Sequence, residues 1–267
     1  MPTYLKFSVL TPSLNQGTFI EDNIRSVLDQ KYPNFEQIIM DGGSTDNTVE
    51  ILRRYPHLIW KSEPDKGQSN ALNKAFKIAT GDIICWLNSD DLLCAGAFYS
   101  VNEFFVRNGD KHCVIGGLQH VNEQGGLVYE RAATEVNYEG LLNQGQCVQQ
   151  MSTFFRKEVF DEVGLLDESY HYAMDHEFWL RVARQFKFYT IEKDLAKFRR
   201  YKGSKTGSGE MRFVKEIMRM RAIYGGRWSS ISNLRMVMMY AKQPLKRIVP
   251  IRTLVRRLKG KRKEFWY

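Results

Sequence analysis

Three times between residues 5 and 91 the chain passes from a short apolar run to a segment of helical periodicity, across connections of a few residues. That rhythm constrains the fold more than any other feature, because neighbouring parallel strands need a crossover, usually a helix, between them. Residues 5–10 predict a strand that ends at Thr11, Pro12, Ser13 and Asn15. Pro12 cannot continue a ladder, and Ser13 and Asn15 suit a turn or a cap. Phe19, Ile20, Ile24, Val27 and Leu28 then recur near helical spacing, residues 35–40 read as a second strand, and a helix over 47–55 carries Val49, Ile51 and Leu52. Residues 58–60 predict a brief third strand, followed by a helix over 69–79 and a fourth strand over 83–87 with almost no polar side chain. The expected class is α/β, a mostly parallel sheet flanked by helices.

Beyond residue 92 the rhythm changes. A helix over 95–106 leads to strands near 112–118 and 126–131, joined as a hairpin across Asn122 and Gly126. A strand at Phe154 and Phe155, a helix over 157–162, a strong helix from Met174 to Gln185 and a strand over 187–191 follow, while residues 132–150 show no assignable pattern. After the glycine-rich stretch 202–209, helices are expected to the end of the chain.

At 43% apolar and 13% aromatic residues, the chain can bury a sizeable core and is not disordered overall. Cys85, Cys94, Cys113 and Cys147 show no C-x-x-C spacing, which argues against a disulfide set or a zinc site and for a reducing, cytoplasmic compartment. Neither a signal peptide nor a run of about 20 apolar residues is expected. The net charge of +9 is unevenly placed: residues 212–267 hold 16 of the 39 Lys/Arg and 2 of the 30 acids. Basic and apolar residues interleave there as in a helix lying on anionic lipid. A homodimer seam competes with that reading, and a nucleic-acid-binding tail is disfavoured.

The chemistry concentrates at strand ends. The run 83–87 stops at Asn88, Ser89, Asp90 and Asp91, where open α/β sheets place their ligands. Adjacent carboxylates suit a hard cation such as Mg²⁺ or Mn²⁺, which would hold nucleotide phosphates; a turn and helix cap before Leu92 is the alternative. The second strand closes on Asp41, Gly42, Gly43, Ser44, Thr45 and Asp46. Asp41 could accept from a base N–H, Gly43 permits close backbone approach, and Ser44 is equally a cap.

These segments resemble family-2 glycosyltransferases of the GT-A fold. The resemblance runs through residues 7–15, Asp41 to Asp46, Ser62 to Asn73 and Ala79 to Asp91, in family order, and covers about residues 5–206. It implies a nucleotide-sugar donor, UDP favoured, in a site formed by Thr11, Pro12, Ser13, Asn15, Asp41, Gly43, Ser44, Lys66, Gly67, Gln68, Asn88, Ser89 and Asp90. It also implies a divalent metal (Mn²⁺ or Mg²⁺) on Asp90 and Asp91, with Asn88 standing where the family has its first carboxylate. The run Met174, Asp175, His176, Glu177, Phe178, Trp179 resembles the family's E-D-x-x-W motif, so Asp175 falls on the catalytic base of an inverting transfer. Gln150, His176 and Glu177 would lie on the acceptor side. Tyr201 occupies the place of a family His, leaving Arg200, Lys202 and Lys205 as candidates to neutralise diphosphate. The implied organisation is a catalytic unit over 1–206, with a nucleotide half (1–91) and an acceptor half (92–206), and a basic helical extension over 207–267. The implied activity is sugar transfer to a glycan or lipid-linked acceptor at the inner face of the cell membrane. A nucleotidyltransferase or a catalytically impaired binding module are the alternatives.

Overall fold

A computed structural model describes residues 3–201, 210–227 and 229–230. Strands β1 (Phe7–Ser13), β2 (Phe35–Asp41), β3 (Ile59–Ser62) and β4 (Ile83–Trp86) are joined by helices α1 (Ile20–Leu28), α2 (Thr48–Arg53) and α3 (Gln68–Ile78). All three strand pairs among them are parallel. Next come the two-residue β5 (Leu92–Leu93), α4 (Ala97–Arg107), β6 (Cys113–Val121) and β7 (Leu127–Arg131). A π-helical turn at Gly140–Gln144, a 3₁₀ turn at Gln150–Ser152, β8 (Thr153–Arg156), α5 (Glu158–Val163), α6 (Met174–Gln185), β9 (Phe188–Arg199) and α7 (Glu210–Tyr224) complete the described chain. One mixed sheet runs β3-β2-β1-β4-β8-β6-β9-β5, with β7 paired to β6. The mostly parallel α/β expectation holds for the first 86 residues, and β8 opens the antiparallel part.

Two elements outrun their sequence signals. β1 continues through Pro12 to Ser13, paired with β2 as far as Asp41. Along β1 the even-numbered residues face β4: Lys6 and Leu10 carbonyls accept from Ile83 and Leu87. Pro12 therefore turns its missing N–H to the side where β4 pairing has already ended at Leu10, and no ladder bond is lost. β9 extends through Glu192, Lys193 and Asp194 to Arg199 because β6 and β5 supply partners along it. Its charged residues hid it, yet Leu195 and Ala196 are fully buried.

The sheet is packed on both faces. One cluster holds Phe7, Cys85, Phe98, Phe154 and Leu195. The other joins α3, α5, α6 and β8 through Leu72, Phe76, Phe155, Phe160, Phe178 and Trp179. Val214, Ile217 and Met220 of α7 belong to this second cluster, so residues 210–224 share the core that packs on the sheet. A boundary at 206/207 does not describe α7 as a separate extension. The rest of that extension, from 231 onward, lies outside the described residues, as do Lys202 and Lys205.

Candidate active site

The strand β4 delivers Asn88, Ser89, Asp90 and Asp91 to the edge of the sheet where β1 and β2 also end. Helix α1 holds this acidic loop from below. Asn23, fully buried, donates through Nδ2 to the backbone carbonyls of Asn88 (2.8 Å) and Asp91 (2.9 Å). Asn88 is a hydrogen-bonding hub. Its Oδ1 accepts from Trp86 Nε1 (2.9 Å) and Gln68 Nε2 (2.8 Å), while its Nδ2 donates to Gln150 Oε1 (3.2 Å) and reaches Asp91 Oδ2 (3.5 Å). Because an indole N–H only donates, the amide orientation is fixed. Gln150 is in turn committed through Nε2 to the Trp86 carbonyl. It lines the strand end beneath Asn88.

The two acids differ. Asp91 is 0% exposed; its Oδ1 accepts the Arg199 backbone N–H at 3.2 Å and its Oδ2 faces the Asn88 amide. Burial pushes its carboxyl well above the usual range, and the neighbouring Asp90 adds to the shift. Asp90 is half-buried, with Oδ2 accepting from the Tyr201 hydroxyl at 3.1 Å, and burial raises its pKa too. Asp90 is the more exposed of the two carboxylates, and Asp91, assigned with it to the metal from sequence, is enclosed and braces the loop. Arg199 completes the brace: its guanidinium bonds the Asp90 and Glu123 carbonyls and Asp22 Oδ2 (2.8 Å), over the Phe19 ring. Arg200, by contrast, lies over the Tyr129 ring of β7.

Loops after β1 and β2 are laced together. Asp41, 2% exposed, accepts from the Gly43 and Ser44 N–H groups and Ser62 Oγ on Oδ2, and from Ser44 Oγ on Oδ1. Among the described residues this leaves Oδ1 with the larger remaining acceptor capacity. Ser44 Oγ also accepts the Asn15 N–H (2.7 Å), and Asn15 Oδ1 accepts the Thr45 N–H (2.9 Å). Asn15 and Ser44 thus shape the loops. Asn15 does so at φ 52°, a conformation asparagine tolerates. At the buried end of β1, Thr11 Oγ1 and Ser13 Oγ have no hydrogen-bond partner among the described residues. Buried hydroxyls without partners are costly unless a ligand or water meets them. The loop before α3 sits alongside: Gly67, at φ 109°, donates to Asp65 Oδ1, and Lys66 is exposed.

Asp175 stands at the second residue of α6, half-buried, with Oδ1 on the His176 N–H at 2.8 Å. Met174 beside it touches Ser69 of α3 (3.1 Å), one residue after the Gln68 that bonds Asn88. Through α3 the base candidate and the acidic loop share one support. His176 Nε2 meets the Leu141 carbonyl at 3.1 Å; burial pulls its pKa down, opposed by Asp175. Glu177 does not line an acceptor site. It is buried in a two-bond ion pair with Arg181 (2.8 and 2.9 Å) and accepts the Tyr224 hydroxyl. Sequence reasoning missed Asn23, Arg199 and Glu216, whose carboxylate caps residues 171–173. Asn23 had a signal, a polar residue inside the apolar stripe Ile20, Ile24, Val27.

Residues 8–181 match the family model described as Glycosyl transferase family 2. Over 90 residues the chain is 43% identical to TuaG of Bacillus subtilis, named as a glycosyltransferase of teichuronic acid biosynthesis. That match covers 32% of this chain and 35% of TuaG, so the chain spans about a third of that relative. Among solved structures, S. aureus TarS 1-349 in complex with UDP-GlcNAc superposes with a TM-score of 0.64 at 19% identity, over 87% of this chain and 69% of that one. The mannosyltransferase PcManGT of Pyrobaculum calidifontis, in complex with GDP-Man and Mn²⁺, gives 0.62 at 18% identity, over 99% and 78%. At these identities the likeness concerns the fold, which is that of GT-A glycosyltransferases. With its parallel strand ends, acidic loop and matched family model, the chain belongs to glycosyltransferase family 2.

Proposed function

We propose that this enzyme transfers a sugar, with inversion, from a nucleoside-diphosphate donor to a hydroxyl of a glycan or lipid-linked acceptor in cell-surface polysaccharide assembly. The observation that carries the reading is the shared support of two differently placed acids. Asp90 lies at the nucleotide-side strand ends and Asp175 at the start of α6, joined through Asn88, Gln68, Ser69 and Met174. Thr11, Ser13 and the remaining acceptor capacity of Asp41 fit a nucleoside. UDP is favoured, since TarS is described with UDP-GlcNAc and with UDP.

A divalent cation fits the residues present in a limited way. Asp90 is a desolvated carboxylate whose side-chain partner is one neutral hydroxyl, which suits a hard cation. No cluster of three or more His, Cys, Asp or Glu forms among the described residues, so Asp90 would share the ion with donor oxygens and water. When bound, Mn²⁺ or Mg²⁺ supplies charge neutralisation on the leaving diphosphate. Asp175 takes the proton from the acceptor hydroxyl as its oxygen bonds to the anomeric carbon. The bond to the diphosphate breaks on the opposite face, and the nucleoside diphosphate leaves.

The acceptor would be met at an anionic membrane surface. The outward face of α7 exposes Arg212, Phe213, Lys215, Met218, Arg219 and Ile223. Residues 231–267 add 11 Lys/Arg against one acid. Among the described residues, no helix is long and apolar enough to cross a membrane.

A panel of UDP- and GDP-sugars with Mn²⁺, read by thermal shift and by release of nucleoside diphosphate, tests the reading. One donor should raise the melting temperature and turn over. Tight nucleotide binding without turnover of any donor would point instead to a binding module. Pyrophosphate release from a nucleoside triphosphate and a sugar phosphate would make the chain a nucleotidyltransferase.

A further inference from the structure

Helix α6 begins without a cap of its own. Its N-cap residue is Ala173, which has no side chain to accept a hydrogen bond. The chain that leads into it, residues 171–173, lies outside the helix, and backbone N–H groups in such a partly buried turn must find acceptors. Here the acceptor comes from α7. Glu216 receives the His171 N–H on both oxygens (3.0 and 3.1 Å), the Tyr172 N–H at 2.7 Å and the Ala173 N–H at 2.9 Å. Three successive donors converge on one carboxylate, and a negative charge is favourable at that end of a helix.

The same short segment is pinned on its other flank by the donor side. Ser69 Oγ donates to the Tyr170 carbonyl at 3.3 Å and meets Met174 Sδ at 3.1 Å. A Cβ on Gly67 would stand 3.7 Å from the His171 ring nitrogen. Residues 170–174 therefore form a bridge held by α3 on one side and Glu216 on the other, and Asp175 is the next residue along it. Helix α7 is itself locked down beyond Glu216. Arg221 bonds the Leu142 carbonyl and Asn143, Tyr224 bonds Glu177, and the Arg219 guanidinium lies 5.0 Å from the Tyr170 ring centre.

We propose that Glu216 is a positioning residue for transfer, fixing through the 171–173 backbone the place at which Asp175 meets the acceptor hydroxyl. The inference rests on the assignment of Asp175 as base. Without the carboxylate, three N–H groups turn to water, the bridge relaxes and the start of α6 shifts with it. A displacement of about 1 Å in a reacting group costs on the order of 10²-fold in rate. Donor contacts at Asp90, Thr11 and Ser13 lie on other elements and stay in place.

The test uses the full chain and the donor that turns over fastest in the UDP- and GDP-sugar panel with Mn²⁺. Glu216→Ala should lower kcat by about 10- to 100-fold, leave donor KM and the donor-induced thermal shift within about twofold, and speed amide exchange at residues 171–173. Glu216→Gln keeps one acceptor oxygen and should fall between wild type and Glu216→Ala. If Glu216→Ala does not fold, the kcat loss of Glu216→Gln at constant donor KM remains the readout. Unchanged kcat in the Glu216 variants, where Asp175→Asn has lost transfer, overturns this inference alone. Transfer that survives in Asp175→Asn overturns the base assignment and the inference with it.

Discussion

Asn88 makes its contacts as an amide and could not make them as an acid. Its nitrogen faces Gln150 Oε1 and Asp91 Oδ2, and Gln150 cannot turn its own amide round without releasing the Trp86 carbonyl. In Asn88→Asp a carboxylate oxygen would face two acceptors, the Gln150 amide oxygen and the Asp91 carboxyl. The expected cost is about 1–3 kcal/mol, seen as a lower melting temperature in metal-free buffer and partly regained on adding Mn²⁺. A variant as stable as wild type without metal would mean that the hub is not tight. Asp90 and Asp91 were legible as a pair because two acids after a buried run are rare without a reason. Their division was not legible, since exposure depends on Arg199, the last residue of β9, and Tyr201 just after it, more than a hundred residues later. Glu177 misled for the converse reason: its place on α6 suggested the acceptor, while Arg181 and Tyr224 enclose it.

Helix α7 carries two faces with different tasks. Ile217 and Met220 are buried in the cluster that also holds Phe178 and Trp179 of α6, whereas Met218, between them, is 42% exposed. Met220→Ala should destabilise the fold by about 2–5 kcal/mol, and Met218→Ala by no more than about 0.5 kcal/mol, both read by chemical denaturation. Equal costs would contradict the packing of this helix. Sequence periodicity revealed that the segment was helical and amphipathic, but not what its apolar face covered. The parallel strands β1 to β4 were the most legible elements, because each is a compact apolar run bounded by turn residues. β9 was the least, because its charged stretch is a strand only by virtue of the partners on either side.

Over the whole molecule, the packing of α7 decides where the basic tail can be cut. Removing everything after residue 210 would strip Val214, Ile217 and Met220 from the core, each worth roughly 1.5–3 kcal/mol of burial. A cut after residue 230 keeps them. That shorter chain should retain its donor-induced thermal shift and lose affinity for vesicles containing anionic phospholipid, with the full chain's binding falling as salt rises. Vesicle binding unchanged by the cut would remove the tail from the account. The central claim is that one acid serves the donor and another the acceptor. Its most direct test compares Asp90→Asn and Asp175→Asn in donor binding and turnover, with and without Mn²⁺. Asp175→Asn should bind donor as wild type does and lose about 10²–10⁴-fold in kcat, whereas Asp90→Asn should lose the Mn²⁺-dependent part of donor binding. Full turnover in Asp175→Asn, or donor binding in Asp90→Asn that responds to Mn²⁺ as wild type does, would contradict it.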